Sequence, residues 1–562
     1  MDFLRPSQWQ LPTEGGIVTG GLTIALFFII IVSIVLRVCL CATHHVQEPP
    51  MVGYTIPFIS PILGLAKKKV RYLIEIRDRH HLPVSTLRLP FAKIYIVASP
   101  PLITMIERQV KNFRFLDMSV EAMIRINGVS ARAQKTMRAN LDPGDQMGMA
   151  ATLFKIIHGG LSQGSVADAL TRDTTKNLNA FFNQAAMSQE TIVGLYGWVE
   201  SFLVTALTDA MYGPRNPFRK PGIIQAYRAF ETEFGSLIFG FLPTLTAVKA
   251  VVAREKVAKA FETYYSGGGH NDAAQLVRSL FDVSRIYDLS IPDIAHMEIT
   301  TAMVALLSNT IPGAFWTIFH IYSDPAILEA CRKEVLACVT ERASTTRPMG
   351  YSLDLINHPA NRARIGGKTV RCLDAAKLNT NCPTLQAVFQ EVLRVHSGTI
   401  SARTVAKDTL LGDDYLLKKG NLVMIPTPVL HTDPSLWGAD ANVFNHRRFM
   451  FPTGARRQKL PALRAFGGGA TLCPGRHFAS AVIIALAAMC VLRFDIKTEG
   501  QGWQEPDTKK AHLGSGLLRP DEDVNVVVSR KDEEGIDWDV QFGEGSQRND
   551  PVAEGERSTW RE

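Results

Sequence analysis

Apolar positions along this chain fall into stretches with different spacings, and each spacing predicts a different element. Residues 17–36, IVTGGLTIALFFIIIVSIVL, run for twenty residues without a charge. At about 1.5 Å rise per residue, such a run matches the hydrocarbon core of a bilayer and predicts a transmembrane anchor. Only Arg5 precedes it among basic residues, whereas Arg37 follows at once and Lys67, Lys68, Lys69 and Arg71 come soon after. That bias places a short N-terminus, 1–16, on the lumenal side and the bulk of the chain in the cytosol. A cleaved signal peptide is the competing reading, but no small-x-small cleavage pattern follows. Residues 37–64 then bring Pro49, Pro50, Pro57 and Pro61, which resist helix and predict a stiff, extended linker.

Between 65 and 530 the dominant pattern is long helical periodicity with short strand-like runs, over a length that admits two or three average domains or one large enzyme domain. IYIVAS (94–99) predicts a strand, and 245–265 predicts a helix. Residues 293–323 are apolar on most faces and interrupted by Pro312, which predicts a buried central helix. An amphipathic helix is expected over 324–343, with Asp324 as cap and Pro325 at the first position. The segment 531–562 is charged and poor in apolar residues, and is expected to be disordered.

Composition narrows the function only slightly. There are 61 Lys and Arg against 53 Asp and Glu, a net charge of +8. No compact basic arm accompanies that charge, so no nucleic-acid partner is expected. The eight cysteines form no CxxC pair and no zinc-type spacing, and read as reduced thiols of a cytosol-facing protein.

One cysteine stands apart. Residues 466–478 read FGGGATLCPGRHF, and helical apolar spacing begins directly after Cys473. Pro474 suits a first helical position, which would put Cys473 at the cap, facing the positive end of the helix dipole. A thiolate is stabilised there. Gly467, Gly468 and Gly469 would form a side-chain-free hairpin able to lie against a flat ligand. Together these features suit a thiolate bound to the iron of a planar cofactor.

Phe466, Gly469, Cys473 and Gly475 satisfy F-x-x-G-x-x-x-C-x-G, and on these residues the chain resembles the cytochromes P-450. Two further segments agree in order and distance. LQAVFQEVLRVHS (385–397) carries Glu391 and Arg394 as an E-x-x-R pair on one helix face, although such a pair alone would read as a surface ion pair. ANVFNHRRF (441–449) resembles the F-x-P-E-R-F segment and puts Arg448 in the place of its second arginine. The resemblance implies a mostly α fold with small β-sheets, and a buried ion-pair network of Glu391, Arg394 and Arg448. It implies haem b with Cys473 as axial ligand, and Arg403 on a haem propionate. His431 and Asp433 match the family's H-x-D-P loop, a structural element.

Three departures qualify it. Thr471 stands where the family commonly has a base. The family's W-x-x-x-R propionate contact on its C-helix is missing, because no Trp occurs between Trp9 and Trp198, which leaves Arg132 and Arg138 as candidates beside the alternative of ordinary surface arginines. On the central helix, ALLSNT places Ser308 and Asn309 where most monooxygenases of the family have an acid and an alcohol. Asn309 can hold a water by hydrogen bonds but cannot shuttle protons by ionising. SNTIPGAFW (308–316) resembles the branch of sterol 7α- and 12α-hydroxylases and prostacyclin synthase, which holds both oxygen-activating and rearranging enzymes.

The resemblance therefore implies an endoplasmic-reticulum-anchored, single-pass monooxygenase, with Asn309 and Ser308 as catalytic candidates. Ala305, Leu306, Ile400 and Ser401 are expected to line a pocket for a small apolar terpenoid, meroterpenoid or sterol-like substrate, in fungal secondary metabolism. Besides substrate, O2 and the lipid bilayer, the expected partner is a reductase that brings electrons from NADPH. Its docking surface would use Lys418, Lys419, Arg447, Arg448, Arg456, Arg457 and Lys459. An oxygen-independent haem-thiolate isomerase or lyase and a non-enzymatic haem or sterol binding protein are the alternatives.

Overall fold

The computed structural model describes residues 14–542 apart from 54, 142–146, 163, 185–189, 240–246, 344–368, 451–461, 501 and 532–535. Its axis is the 33-residue run Ile291–Ser323, mostly buried as its all-round apolarity predicts. The run is not a uniform α-helix. Residues Ile299–Leu307 are wound as a π-helix, followed by an α-helix over Ser308–Ser323 with Pro312 inside it. Ser308 marks the join, where its backbone N–H reaches back five residues to the Met303 carbonyl. Wide turns of this kind cluster at functional sites.

Helices Leu195–Tyr212, Pro383–Val395 and Arg476–Arg493 pack around the axis and share one apolar core with it. Four small sheets lie outside that bundle among the described residues. The largest orders its strands Val84–Arg88, Lys93–Val97, Leu422–Pro426, Ile400–Val405 and Phe113–Arg114. Val423 pairs with Arg403 in this sheet, which holds the arginine in register facing the glycine-rich loop. A mostly helical fold with small sheets agrees with the expectation.

Several local expectations need correction. Residues 37–64 are not a free extended spacer. The first helix runs Glu14–Ala42, and a second covers Ile59–Lys68 with Pro61 in its opening turn, where no N–H is required. Between them the buried Glu48 carboxylate accepts from Lys93 Nζ at 2.6 Å and from the Tyr95 hydroxyl at 2.8 Å, tying the segment to the sheet. The helix after Asp324 ends at Leu336, and Val339–Ala343 turns into a strand. The Asp324 cap itself is present, accepting from Ala326 N at 2.8 Å.

The segment 531–562 is not uniformly unstructured. Asp537–Gln541 pairs in parallel with Thr369–Asp374, because alternation buries Trp538 and Val540. Asn179 Nδ2 also donates to the Trp538 carbonyl at 2.7 Å. Residues 1–13 and 543–562 lie outside the described residues, as do Arg456, Arg457 and Lys459.

Candidate functional site

The loop before Arg476–Arg493 folds back on itself through a bond from Cys473 N to the Phe466 carbonyl at 2.9 Å. Gly467 (φ 79°) and Gly469 (φ 60°) occupy the left-handed region, which glycine enters without steric cost. Gly468 is glycine for another reason, since a Cβ there would collide with Arg464 and Glu107. The helix begins at Arg476, so Pro474 is not its first residue and Cys473 is not its cap. Instead the backbone N–H groups of Gly475 and Arg476 turn onto the cysteine sulfur. Burial pushes the thiol pKa up, while those donors and the Arg476 charge pull it down.

A network beneath the loop holds it. Glu391 and Arg394 are fully buried and joined twice, Nη2 to Oε1 at 2.6 Å and Nε to Oε2 at 2.7 Å. Arg394 also donates to the carbonyls of His431 (2.7 Å), Ala441 (2.6 Å) and Val443 (3.1 Å). Arg448 lies 3.4 Å from Glu391 and donates to the Trp437 and Asp440 carbonyls. Buried His431 extends the network: Nδ1 donates to the Arg394 carbonyl at 2.8 Å and Nε2 accepts from Arg464 N at 2.9 Å. The Glu-x-x-Arg helix is thus wired to the chain entering the glycine loop.

Arg403 is buried and donates to Ser401 Oγ and Thr471 Oγ1, each at 2.8 Å. Thr471, unexpected in the sequence, serves as its anchor on the loop. Arg464, not singled out from the sequence, is paired with Glu107, whose carboxylate also lies 3.9 Å from Arg403. Two buried guanidiniums therefore share one carboxylate.

On the neighbouring helix Met149–Leu161, the buried His158 Nε2 has no hydrogen-bond partner among the described residues. Its pKa is lowered by burial and by the nearby Arg476 charge. Leu161 of the same helix lies 4.0 Å from where a Gly475 Cβ would sit, a normal contact distance. Nothing in the protein itself therefore excludes a side chain at 475. Arg132 and Arg138 are surface residues paired with Asp288 and Glu121, so neither reaches the loop. A surplus of buried positive charge, an orphaned imidazole nitrogen and an unexplained glycine lie along the cysteine loop and the start of its helix. This donor set fits a planar iron cofactor carrying carboxylates.

The central helix supplies the other wall. Ala305 is the one exposed position between Ala302 and Trp316, so open space adjoins the helix there, while Leu306 is buried. Ile400 and Ser401 are half-buried, with Ser401 engaged by Arg403. Both polar ends of Asn309 are taken by backbone. Nδ2 donates to the Val304 carbonyl at 3.3 Å, and Oδ1 accepts from the N–H groups of Gly516 (3.1 Å) and Leu517 (3.3 Å). The Gly516 carbonyl in turn accepts from Gly398 N and Thr399 Oγ1, and Thr399 reaches the Ala465 carbonyl at 3.0 Å. Asn309 thus clamps helix, strand and cysteine loop together.

Of the basic residues expected at a docking surface, Lys418 is paired with Asp408, Arg448 belongs to the network, and Arg447 is exposed. Among the described residues, a second titratable group lies off this site: His320 and His396, Nε2 to Nε2 at 2.8 Å, with Glu505 nearby.

Sequence comparison agrees with this geometry. The family model for cytochrome P450 matches residues 363–526. Cytochrome P450 monooxygenase nodJ of Hypoxylon pulicicidum is 31% identical over 510 residues, covering 89% of this chain and 94% of its own length. Cytochrome P450 7A1 of Sus scrofa is 23% identical over 535 residues, covering 89% and 98%. A cholesterol 7-alpha-monooxygenase of Cricetulus griseus is 25% identical over 323 residues, covering 55% and 59%.

Proposed function

The chain belongs to the cytochrome P450 family as a monooxygenase resembling fungal members and the 7A branch, and from that premise we propose the roles of its residues and the class of its substrate. Cys473 holds the iron of haem b. The observation that carries this is the glycine loop that bears the cysteine, closed by Cys473 N on the Phe466 carbonyl at 2.9 Å and tied through Thr471 to the buried Arg403. Arg403, Arg464 and His158 bind the haem carboxylates, and the Glu391–Arg394–Arg448 network fixes the loop. Gly475 lets the ring approach. When bound, the haem supplies the oxidising chemistry that inserts one atom of O2 into an unactivated C–H bond.

Around it, this chain orients and dries the substrate. The open side of the central helix at Ala305, bordered by Leu306 and Ile400, favours an apolar molecule. The cholesterol 7-alpha-monooxygenase relative supports a sterol-like or terpenoid substrate, and the Hypoxylon relative supports a fungal setting. Ser308 offers a hydroxyl at the distal wall, and Asn309 sets the spacing between helix and loop.

NADPH is the electron source, delivered through a reductase. The helix Glu14–Ala42, about 43 Å long, anchors the protein in the endoplasmic reticulum membrane, consistent with the exposure of Phe27, Phe28 and Ile29. Microsomes containing the protein, a reductase and NADPH, given a panel of sterols and terpenoids, test this reading. Products heavier by one oxygen from 18O2 are expected. Conversion that proceeds without oxygen or NADPH would replace it with an isomerase or lyase.

A further inference from the structure

Off the cysteine loop, two buried imidazoles face each other. His320 stands on the central helix, and His396 ends the helix Pro383–Val395 as its C-cap. Their Nε2 atoms lie 2.8 Å apart, and the residues are 5% and 3% exposed. Both rings are held flat against aromatic neighbours. His396 stacks on Trp316 with 3.7 Å between ring centroids and 6° between planes, and His320 stacks on Phe444 at 3.7 Å and 5°. Trp316 is itself fixed, its Nε1–H donating to the Leu518 carbonyl at 2.7 Å. Turning either Nε2 away from the other would break a stack.

Glu505 brings a carboxylate to the same point. Its Oε1 lies 3.9 Å from His396 Nε2, and one ligand atom from each of the three residues falls within 4.8 Å of the others. The Glu505 side chain is 49% exposed and accepts no hydrogen bond among the described residues. Its segment is docked by Trp503, which meets Phe319 of the central helix edge-on at 5.3 Å. Arg394, two residues before His396, is neutralised by its pairing with Glu391, so the charge left at this point is that of Glu505.

We propose that His320, His396 and Glu505 form a binding site for a divalent transition-metal cation, with zinc the best match. Two imidazoles, one carboxylate and a fourth position open to water make a donor set that zinc accepts, with Zn–N bonds of about 2.0–2.1 Å. At a tetrahedral angle such bonds put the two nitrogens about 3.3 Å apart, so the pair at 2.8 Å opens by about 0.5 Å. Glu505 Oε1 closes on His396 Nε2 by a similar amount, which a half-exposed side chain achieves by rotation. The same exposure gives the ion its path from solvent. The proton shared between the nitrogens moves to Nδ1 of its own ring, so that both Nε2 lone pairs face the cation. Once bound, the ion joins the central helix, the end of the Glu-x-x-Arg helix and the segment 505–518, whose Gly516 and Leu517 N–H groups hold Asn309. It is a staple across the distal wall, and it does not depend on the haem assignment.

The full-length holoprotein without a histidine tag provides the test, stripped by dialysis against a chelator and equilibrated with zinc alone. Elemental mass spectrometry at stepped free zinc should find one more zinc per chain on wild type than on His320→Gln. Glu505→Gln should weaken that uptake at least about 10-fold and His320→Gln about 10²-fold or more, since even the outer partners of a metal ligand are worth about 10- to 100-fold. Glu505→Gln is a near-isosteric change at a half-exposed position and should keep the wild-type haem spectrum, which separates lost ligation from lost folding. Zinc-edge X-ray absorption of the wild-type complex should show two imidazole nitrogens at about 2.0–2.1 Å. Zinc uptake unchanged in either variant, absence of imidazole scattering, or no uptake by wild type at micromolar free zinc would overturn the site and leave a hydrogen-bonded histidine pair.

Discussion

Replacing Arg394 by alanine probes the network that fixes the cysteine loop. The substitution leaves the fully buried Glu391 with only Arg448 at 3.4 Å and Asn445 N at 2.8 Å, both on one oxygen, and removes the donor from the carbonyls of His431, Ala441 and Val443. Removing one member of a buried pair costs about 3–5 kcal/mol. Each carbonyl left unpaired adds about 1–3 kcal/mol, although water entering the vacated space offsets part of that. Against a typical stability of about 5–15 kcal/mol, the loss takes a large share of the whole. Arg394→Lys keeps the charge but not the fork that serves two carboxylate oxygens and three carbonyls, so it should fall between. In the double variant with Glu391→Ala the charge is no longer stranded, and its cost should be less than the sum of the single costs. Urea unfolding of the full-length protein in detergent provides the assay. Trp437 fluorescence is a local reporter, since Arg394 lies over its ring at 5.2 Å. Arg394→Ala within about 1 kcal/mol of wild type, or strict additivity in the double variant, would refute this energetic role.

Three other outcomes are expected. Gly475→Ala should leave stability within about 1 kcal/mol, because a Cβ there finds ordinary contacts, yet should lower haem occupancy, read by haem-to-protein absorbance. Arg403→Gln and His158→Phe should each weaken haem retention, measured as transfer to apomyoglobin, while the chain stays folded by circular dichroism. Burial lowers the pKa of His320 and of His431 to about 3 and holds that of His396 well below the usual imidazole range. The unfolded chain therefore binds protons that the folded chain refuses as pH falls below about 6.5. Stability should decline from there toward pH 3, and His320→Gln should flatten that slope in urea titrations at stepped pH.

Much of the proximal site was legible in the sequence because its chemistry is contiguous. Phe466, Gly469, Cys473 and Gly475 lie within ten residues, and Glu391 and Arg394 share a helix turn. What escaped depends on tertiary approach. Glu107 and Arg464 come from distant segments, and Arg464 reads as an ordinary arginine until a buried carboxylate meets it. Its nearness to Phe466 was the available hint. His158 lies on a helix with no motif, and its signal is an unpaired nitrogen, which only coordinates reveal. The linker was misread because proline spacing reports local stiffness and not the pull of a buried Glu48–Lys93 pair. The strand at 537–541 was hidden by charged neighbours, although Trp538 and Val540 alternate as a strand requires.

The central claim is that Cys473 holds the haem iron as a thiolate. The carbon monoxide difference spectrum of the reduced full-length protein tests it most directly, comparing wild type with Cys473→Ser and Cys473→His. Wild type should show the red-shifted band of a thiolate-ligated carbonyl complex, and neither variant should show it, even where haem is retained. The same red-shifted band in Cys473→Ser would contradict the assignment.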